Sequence, residues 1–311
     1  MANVLVTGGA GFIGSHLATG LLDHNHHVRV LDDFSSGHRR NLAHIADRIE
    51  IMEGDLCDQG QCERACEDVE FVFHQAAIPS VPKSVDDPDA SHDANINGTF
   101  NILRAAVTRK VRRVIYAASS SAYGDTDESP KHERISPDPV SPYAVQKLTG
   151  ELYARTFWGC FGLETLSLRY FNVFGARQDP KSQYAAAIPA FVVAALRGES
   201  PIVYGDGEQT RDFTFIDNVI HGNLLAMKVA RACGESINVA CGDAISVNQV
   251  INAINKALGT SVAASYVPAR TGDVLHSCAD ITLAKTLLGY EPQVSFEEGL
   301  RRTIEFYREN Y

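Results

Sequence analysis

The sequence has no apolar run near the roughly 18 residues that a membrane-crossing helix needs, no internal repeat and no low-complexity tail. Positive charge is in deficit, with 28 Lys and Arg against 38 Asp and Glu. That argues against nucleic acid as the main partner, because a phosphate backbone wants clustered Lys and Arg. It does not exclude one small anion held by a few local arginines. The C-x₂-C pairs of a zinc site are also missing: Cys57, Cys62 and Cys66 are separated by four and three residues, and no convincing histidine ligand follows, so no metal is expected. The seven cysteines are an odd number, and the start, MANVLVTGGAGFIG, has no basic segment ahead of an apolar one. A reduced, cytoplasmic protein is the expectation. What is present is ordinary for a globular chain, 45% hydrophobic and 21% charged. At 311 residues it suits one medium-sized fold or two coupled domains, with a core that requires neither disulfide nor metal.

Short apolar runs alternate with helix-like segments through the first half. Residues 3–7, 27–31, 48–53, 71–77 and 112–119 read as strands. Helices are expected over about 11–25, 59–65 and 90–109. This rhythm predicts an α/β fold, a doubly wound parallel Rossmann sheet with helices on both faces. Residues 124–142, with Pro130, Pro137, Pro139 and Pro142, read as a loop. A helix restarts at Pro142 and runs through Trp158, and 163–175 form a strand entering a loop. Residues 1–172 are therefore expected to form the dinucleotide-binding domain. Residues 173–311 mix short strands and helices less regularly, as a smaller substrate-binding lobe that can hand elements back to the first.

The strongest local signal is TGGAGFIG at 7–14. Gly8, Gly11 and Gly14 satisfy G-x-x-G-x-x-G, and Gly9, Gly11 and Gly14 satisfy G-x-G-x-x-G, between a strand and a helix. Glycine lets the backbone turn tightly and approach a pyrophosphate, and the helix start, at Phe12 and Ile13, offers free N–H groups. Asp32 and Asp33 end the next strand, where a carboxylate can accept from the adenosine ribose hydroxyls. A 2′-phosphate beside Asp32 would meet like charge, so NAD is expected over NADP. Asp55, after the third strand, either touches the adenine surroundings or caps a turn.

Ser119, Tyr143 and Lys147 form the second signal. Ser119 ends a strand, where open α/β sheets place ligands. Tyr143 and Lys147 share one helix face at i and i+4. A tyrosine is a poor base at its ordinary pKa near 10, and a neighbouring ammonium favours its phenolate. The bland alternative has Tyr143 packing, Lys147 solvated and Ser119 capping.

These motifs, with DDFSSG (32–37), GDL (54–56), HQAA (74–77), NINGT (95–99), AASSSAYG (117–124), YAVQK (143–147), RYFNVFG (169–175), GDGEQTRDF (205–213) and RTGDV (270–274), resemble the extended short-chain dehydrogenase/reductase family over essentially the whole chain. The chain is most similar to UDP-hexose 4-epimerases that accept N-acetylated sugars. The resemblance implies that Tyr143 takes the proton of the sugar 4-hydroxyl while NAD takes and returns the C4 hydride. It implies that Lys147 holds the nicotinamide ribose and lowers the tyrosine pKa. Ser35, Ser36, Gly37, Leu56, Gln75, Ala76, Ala77, Asn95 and Tyr170 would line the cofactor, with Asn95 supporting the helix and an active-site water.

On the substrate side the resemblance implies that Asn172, Arg211 and Arg270 grip the diphosphate or sugar, since arginine forks pair well with phosphate. Asp273 would bind the uridine ribose. Val203 and Tyr204 would lie near the base, and Tyr184, Ala185, Ala186 and Ile188 would make backbone contacts on the uridine side. Ser119 and Ser120 would face the sugar, and Ser80 and Ser84 of SVPKS would meet sugar hydroxyls or an acetamido group, unless they cap a turn. Ser277 matches a gatekeeper position where a bulky tyrosine goes with rejection of N-acetylated sugars. The implied substrate is a UDP-hexose or UDP-N-acetylhexosamine. The implied assembly is a homodimer through the helices near 90–109 and 143–158. The rivals are a nucleotide-sugar 4,6-dehydratase and a non-catalytic NAD-binding protein. Dehydratases of this kind carry an acidic pair after the position of Ser119, and this chain has Ser120 and Ser121 there.

Overall fold

The computed structural model describes residues 1–180, 187–269 and 275–311. Strand and helix alternate from the start: β1 (Asn3–Thr7), α1 (Phe12–Asp23), β2 (His27–Asp32), β3 (Glu50–Glu53), α2 (Gln59–Ala65), β4 (Phe71–His74), α3 (Val81–Asp86), α4 (Pro88–His92), α5 (Gly98–Thr108), β5 (Arg113–Ser119), α6 (Pro142–Phe161) and β6 (Glu164–Tyr170). Beyond β6 the strands shorten. The order is β7 (Val173–Phe174), α7 (Ala187–Leu196), β8 (Ile202–Tyr204), β9 (Thr210–Arg211), β10 (Thr214–Phe215), α8 (Ile216–Lys228), β11 (Glu235–Val239), β12 (Ile245–Ser246), α9 (Val247–Leu258), β13 (Ser265–Val267), α10 (Thr282–Leu288) and α11 (Phe296–Asn310).

Seven strands make one parallel sheet in the order β11-β6-β5-β4-β1-β2-β3. This is the doubly wound Rossmann architecture, with a smaller mixed region formed by the later short strands. A parallel sheet covered by helices must be apolar on both faces, and the middle of the sheet complies. Val4, Val6, Phe71 and Phe73 pack with Leu17 and Val219 on one face. Leu5, Val72 and Val114 pack with Cys62, Ile102 and Phe157 on the other. β11 comes from the later half and pairs with β6, Ile237 beside Leu168, so one element of the smaller lobe completes the sheet.

The catalytic helix candidate starts where its sequence says it should. Pro142 occupies the first turn of α6, Ser141 accepts the Ala144 N–H, and Gly162 at φ +70° ends it in the left-handed conformation. Two local expectations change and one alternative is decided. The strand expected over 71–77 stops at His74, and Gln75 turns back to donate its N–H to Thr7 O at 3.2 Å. In SVPKS, Ser80 takes the capping alternative, at the start of the short helix α3, by accepting the Lys83 N–H. The single helix expected over 90–109 is α4 and α5 joined by a wider π-turn at Asp93–Asn97. Such a turn inserts a residue and re-aims its side chain, here Asn95.

Candidate active site

The glycine-rich turn is tight enough to exclude side chains at two points. Gly8 sits at φ +65°, and a Cβ there would stand 2.6 Å from Ala76 Cα. A Cβ on Gly14 would stand 2.2 Å from the Gly8 carbonyl oxygen. The first i→i−4 bond of α1 runs from Ser15 N to Gly11 O at 3.1 Å. The Phe12, Ile13 and Gly14 N–H groups therefore form the open donor set of the helix start. Among the described residues no side chain caps Gly11, and the first turn carries no acid. A backbone-lined cradle with free N–H groups and no competing anion fits a pyrophosphate.

Asp32 is buried and its carboxylate bridges two backbones, accepting from Ala10 N at 2.8 Å and Phe34 N at 2.9 Å. Each oxygen keeps a lone pair for a ribose hydroxyl. Gly37 packs under it. Asp33 is exposed and closes a turn by accepting the Ser35 N–H and hydroxyl, and Ser36 is exposed beside it. Arg39 is ion-paired with Glu53 at the surface and stacked over Phe34 at 4.0 Å. Asp55 accepts the Cys57 N–H at 2.8 Å, the capping alternative, and Leu56 is buried.

At the C-terminal end of β5, the Ser119 hydroxyl accepts from Ser121 N at 3.2 Å and Ser121 Oγ at 2.9 Å, and it favours the ionised form of the Tyr143 phenol. Ser120 opens the next turn, partly exposed beside it. Burial pushes the Tyr143 phenol above its usual value and outweighs the lowering by Ser119. Lys147 donates from Nζ to Ala117 O at 2.9 Å and lies over the Tyr116 ring. Burial pushes its ammonium down to about 8, opposed by Glu151. Burial is the largest influence on the Tyr143 phenol, and Lys147 keeps further ammonium donors beyond Ala117 O.

The cofactor-edge residues are joined by polar contacts that only the fold reveals. Gln75 Nε2 donates to the Tyr170 hydroxyl at 3.2 Å, and Asn223 Nδ2 donates to it at 2.9 Å. Ala76 donates its N–H to Thr7 Oγ1 at 3.3 Å, and Ala77 follows, partly exposed. Thr99 donates to Asn95 O at 2.7 Å, so its oxygen accepts from His74 Nε2 at 2.9 Å. His74 Nδ1 then accepts from Thr7 Oγ1 at 2.7 Å. Burial holds this imidazole neutral, with its pKa lowered to about 3.

On the substrate side, Asn172 has a strained φ of +32° and donates to Asp212 O at 3.4 Å. This brings the end of β6 against Arg211. Arg211 Nη1 donates to Thr210 O at 2.9 Å and Leu275 O at 3.2 Å. Ser277 is buried, its N–H on Thr210 O at 3.1 Å, so it neighbours Arg211 and does not face solvent. Asp212, which the sequence did not single out, accepts from the N–H groups of Cys241, Gly242 and Ala279 at 2.9, 2.9 and 3.1 Å. Burial nevertheless pushes its carboxyl up to about 6. Tyr204 is half-exposed and accepts Gln209 Nε2 through its carbonyl.

Three side chains take a different place from the one expected of a substrate contact. Val203 belongs to the core, which leaves only its backbone to a ligand, and Ile188 is in the core too, compatible with the backbone contact expected of it. Ser80 spends its oxygen as a helix cap. Ser84 is fully buried, donating to Val81 O at 2.7 Å and accepting the Tyr143 N–H at 3.0 Å. Its sequence signal, a serine two residues after Pro82, did not reveal the bond to Tyr143. Tyr184, Ala185, Ala186, Arg270 and Asp273 lie outside the described residues.

Residues 4–240 match the NAD dependent epimerase/dehydratase family. The UDP-glucose 4-epimerase of Mycolicibacterium smegmatis is 38% identical over 98% of both chains. A UDP-N-acetylglucosamine 4-epimerase from Methanobrevibacter ruminantium, solved with UDP-N-acetylmuramic acid, superposes with a TM-score of 0.96 at 39% identity, covering 100% of this chain and 99% of that one. The UDP-glucose 4-epimerase of Thermotoga maritima, solved with UDP-glucose, superposes at 0.94 with 38% identity and covers 99% of each. Other relatives carry different reactions, including a UDP-N-acetyl-α-D-glucosaminuronate decarboxylase from Bacillus cytotoxicus and a dTDP-glucose 4,6-dehydratase from Streptomyces venezuelae, each 33% identical.

Proposed function

The chain belongs to the NAD dependent epimerase/dehydratase family, and from that premise we propose that it reversibly epimerises UDP-hexoses at C4 through a 4-keto intermediate. UDP-GlcNAc and UDP-GalNAc are the main substrates, with some activity on UDP-Glc and UDP-Gal. The cofactor is NAD, consistent with Asp32 at the end of β2. The observation that carries the reading is Ser119 at the end of β5 with Tyr143 and Lys147 on α6, Lys147 Nζ reaching Ala117 O of the same strand, followed by hydroxyls at Ser120 and Ser121 where a dehydratase needs acids. Glu128, the nearby carboxylate in sequence, lies in the outer loop with His132 at 3.7 Å.

Bound NAD supplies the nicotinamide that accepts and returns the C4 hydride. Tyr143, oriented by Ser119, takes the 4-hydroxyl proton and gives it back after the keto sugar has turned over. Lys147 keeps ammonium donors beyond Ala117 O to hold the nicotinamide ribose. Arg211 and Asn172, on adjoining segments, hold the diphosphate side, and Ser277 beside them leaves room for an acetamido group. The protein is proposed to be a homodimer through α5 and α6, where Val145 and Leu152 remain 46% exposed; a single monomer mass by light scattering at micromolar concentration removes that part.

Incubation with UDP-GlcNAc and, separately, UDP-Glc, followed by separation of the sugar nucleotides, tests the reaction. The expected result is interconversion of 4-epimers without net NADH. A dehydrated or decarboxylated product, or none, overturns it. Replacing Tyr143 by Phe should lower the rate about 10³-fold while leaving NAD and UDP binding intact. A rate within about twofold of the unmodified enzyme would remove Tyr143 as the base.

A further inference from the structure

Residues 80–97 run along the side of α6 as α3, α4 and the π-turn, and their buried polar groups converge on that helix at two points. Ser84 takes the backbone N–H of Tyr143. One turn later Gln146, 4% exposed, presents its side-chain oxygen to Ser91 Oγ at 2.7 Å and Asn95 Nδ2 at 2.8 Å. The direction of both amides follows from their partners. Asn95 Oδ1 accepts the Ile78 N–H at 2.8 Å, so its nitrogen donates to Ile78 O at 3.2 Å and to Gln146. Gln146 therefore has to answer with oxygen, and both Ser91 and Asn95 are buried donors with no access to water in exchange. Ile78 directly follows the Gln75–Ala77 edge of the cofactor cradle. One side-chain oxygen thus joins the cofactor edge, the segment capped by Ser80 and the helix carrying Tyr143 and Lys147.

We propose that Gln146 is a positioning residue of the active site, whose amide oxygen clasps the 78–97 segment to α6 and so sets the reach between Tyr143, the sugar hydroxyl and the cofactor edge. The inference rests on Tyr143 acting as the base. Proton transfer needs donor and acceptor within hydrogen-bond reach, and a small misplacement there slows chemistry more than it weakens binding. A residue that only filled space would be replaceable by any side chain of its size. A clasp requires an acceptor.

Gln146→Met keeps the length and removes the acceptor, whereas Gln146→Glu keeps an oxygen that accepts both bonds. The readout that needs no substrate is backbone hydrogen exchange of the NAD-loaded protein. Peptides covering 78–97 and the first turn of α6 should exchange about tenfold faster or more in Gln146→Met and near the unmodified rate in Gln146→Glu. In turnover, Gln146→Met should lower kcat about tenfold or more, with KM for the UDP-sugar and NAD affinity within about twofold, and Gln146→Glu should recover most of kcat. Should Gln146→Met fail to fold, Ser91→Ala removes one of the two donors and should lower kcat about threefold, again without a KM change. Unchanged exchange in Gln146→Met, an effect on KM alone, or equal losses in Met and Glu overturns the clasp. Absence of epimerisation by the unmodified enzyme, with the exchange pattern as expected, overturns instead the reading of the reaction.

Discussion

On the proposed reading the glycine-rich turn and the lobe around Arg211 both offer positive character to phosphate groups, yet they are made differently. The turn is one contiguous segment whose donors are backbone N–H groups, and its geometry is enforced by the absence of side chains at Gly8 and Gly14. The lobe is assembled from Asn172, Arg211, Asp212, Cys241, Gly242 and Ser277 on strands of two residues or on loops. It is held together by a buried carboxylate that gathers three N–H donors. The first device is rigid because its chain folds on itself. The second is only as rigid as the side chains that tie separate pieces, which is also where a family on one sheet can vary its substrates.

The largest effect should come from breaking the first device alone. Gly14→Ala drives a methyl group against the Gly8 carbonyl and the Gly9 backbone, at 2.2 and 2.8 Å. NAD affinity should fall by about 10² or more, with turnover lost in proportion, because the donors of the helix start no longer reach the pyrophosphate. UDP binding, measured by calorimetry on the same protein, should change by less than about threefold. Equal loss of both ligands would show that the two regions are not separable.

Acid separates them next, with opposite signs. His74, under the glycine turn, has its pKa lowered to about 3 from 6.5 by burial. The unfolded chain takes that proton near 6.5 and the folded one does not. Stability is therefore lost as pH falls below 6.5, by about 2 kcal/mol at pH 5. His16 on α1, lowered to about 4, adds a loss of the same sign and nearly the same size at pH 5. Asp212 runs the other way. Its folded pKa of about 6 lies above the ordinary 3.8, so stability is gained as pH falls through 6, by about 1 kcal/mol at pH 5. Urea unfolding at pH 7 and 5 should show a net loss of about 2 kcal/mol, and Asp212→Asn should steepen it. No loss at pH 5 would mean that His74 titrates normally.

The same contrast explains what could be read from the residues alone. Gly8, Gly14 and Asp32 were legible because their spacing is local and each answers a backbone requirement. Tyr143 and Lys147 were legible because i and i+4 share a helix face. The Asn223 contact to Tyr170, the Gln146 bonds to Ser91 and Asn95, and the Asp212 tripod were not. Each joins segments 29 to 67 residues apart, through side chains whose types are common on any surface. Asp55 and Ser80 were ambiguous for a related reason: a short polar side chain before a helix caps it as readily as it binds a ligand. The π-turn at Asp93–Asn97 escaped because apolar spacing does not register one inserted residue.

A smaller effect is expected from loosening the second device. In Asp212→Asn any orientation of the amide turns an NH₂ toward at least one of the three N–H donors, an unsatisfied contact costing about 2 kcal/mol. KM for the UDP-sugar should rise about tenfold, with kcat less affected and NAD affinity unchanged. The check is steady-state kinetics beside NAD titration. A fall in kcat with KM constant would place Asp212 in the chemistry and not in the clamp.

The smallest effect should be one of choice between substrates. Ser277 is buried next to the Thr210–Arg211 strand, its N–H on Thr210 O. On the proposed reading, a small side chain there leaves volume that an acetamido group can use. Ser277→Tyr fills that volume with a ring whose reach is set by two torsions, so it cannot fold away as a long aliphatic chain could. Tyrosine also carries a hydroxyl that can still meet a plain sugar. The penalty should therefore fall on the acetylated pair, about 10-fold in kcat/KM for UDP-GlcNAc and UDP-GalNAc against little change for UDP-Glc and UDP-Gal, a difference of transition-state binding near 1.4 kcal/mol. The glycine turn lies elsewhere, so NAD affinity should not move. Measuring kcat/KM for all four sugars in both proteins decides the matter. Equal losses across the four would reduce Ser277 to a packing position, and no activity of the unmodified enzyme on UDP-GlcNAc would remove the acetylated sugars from its substrates.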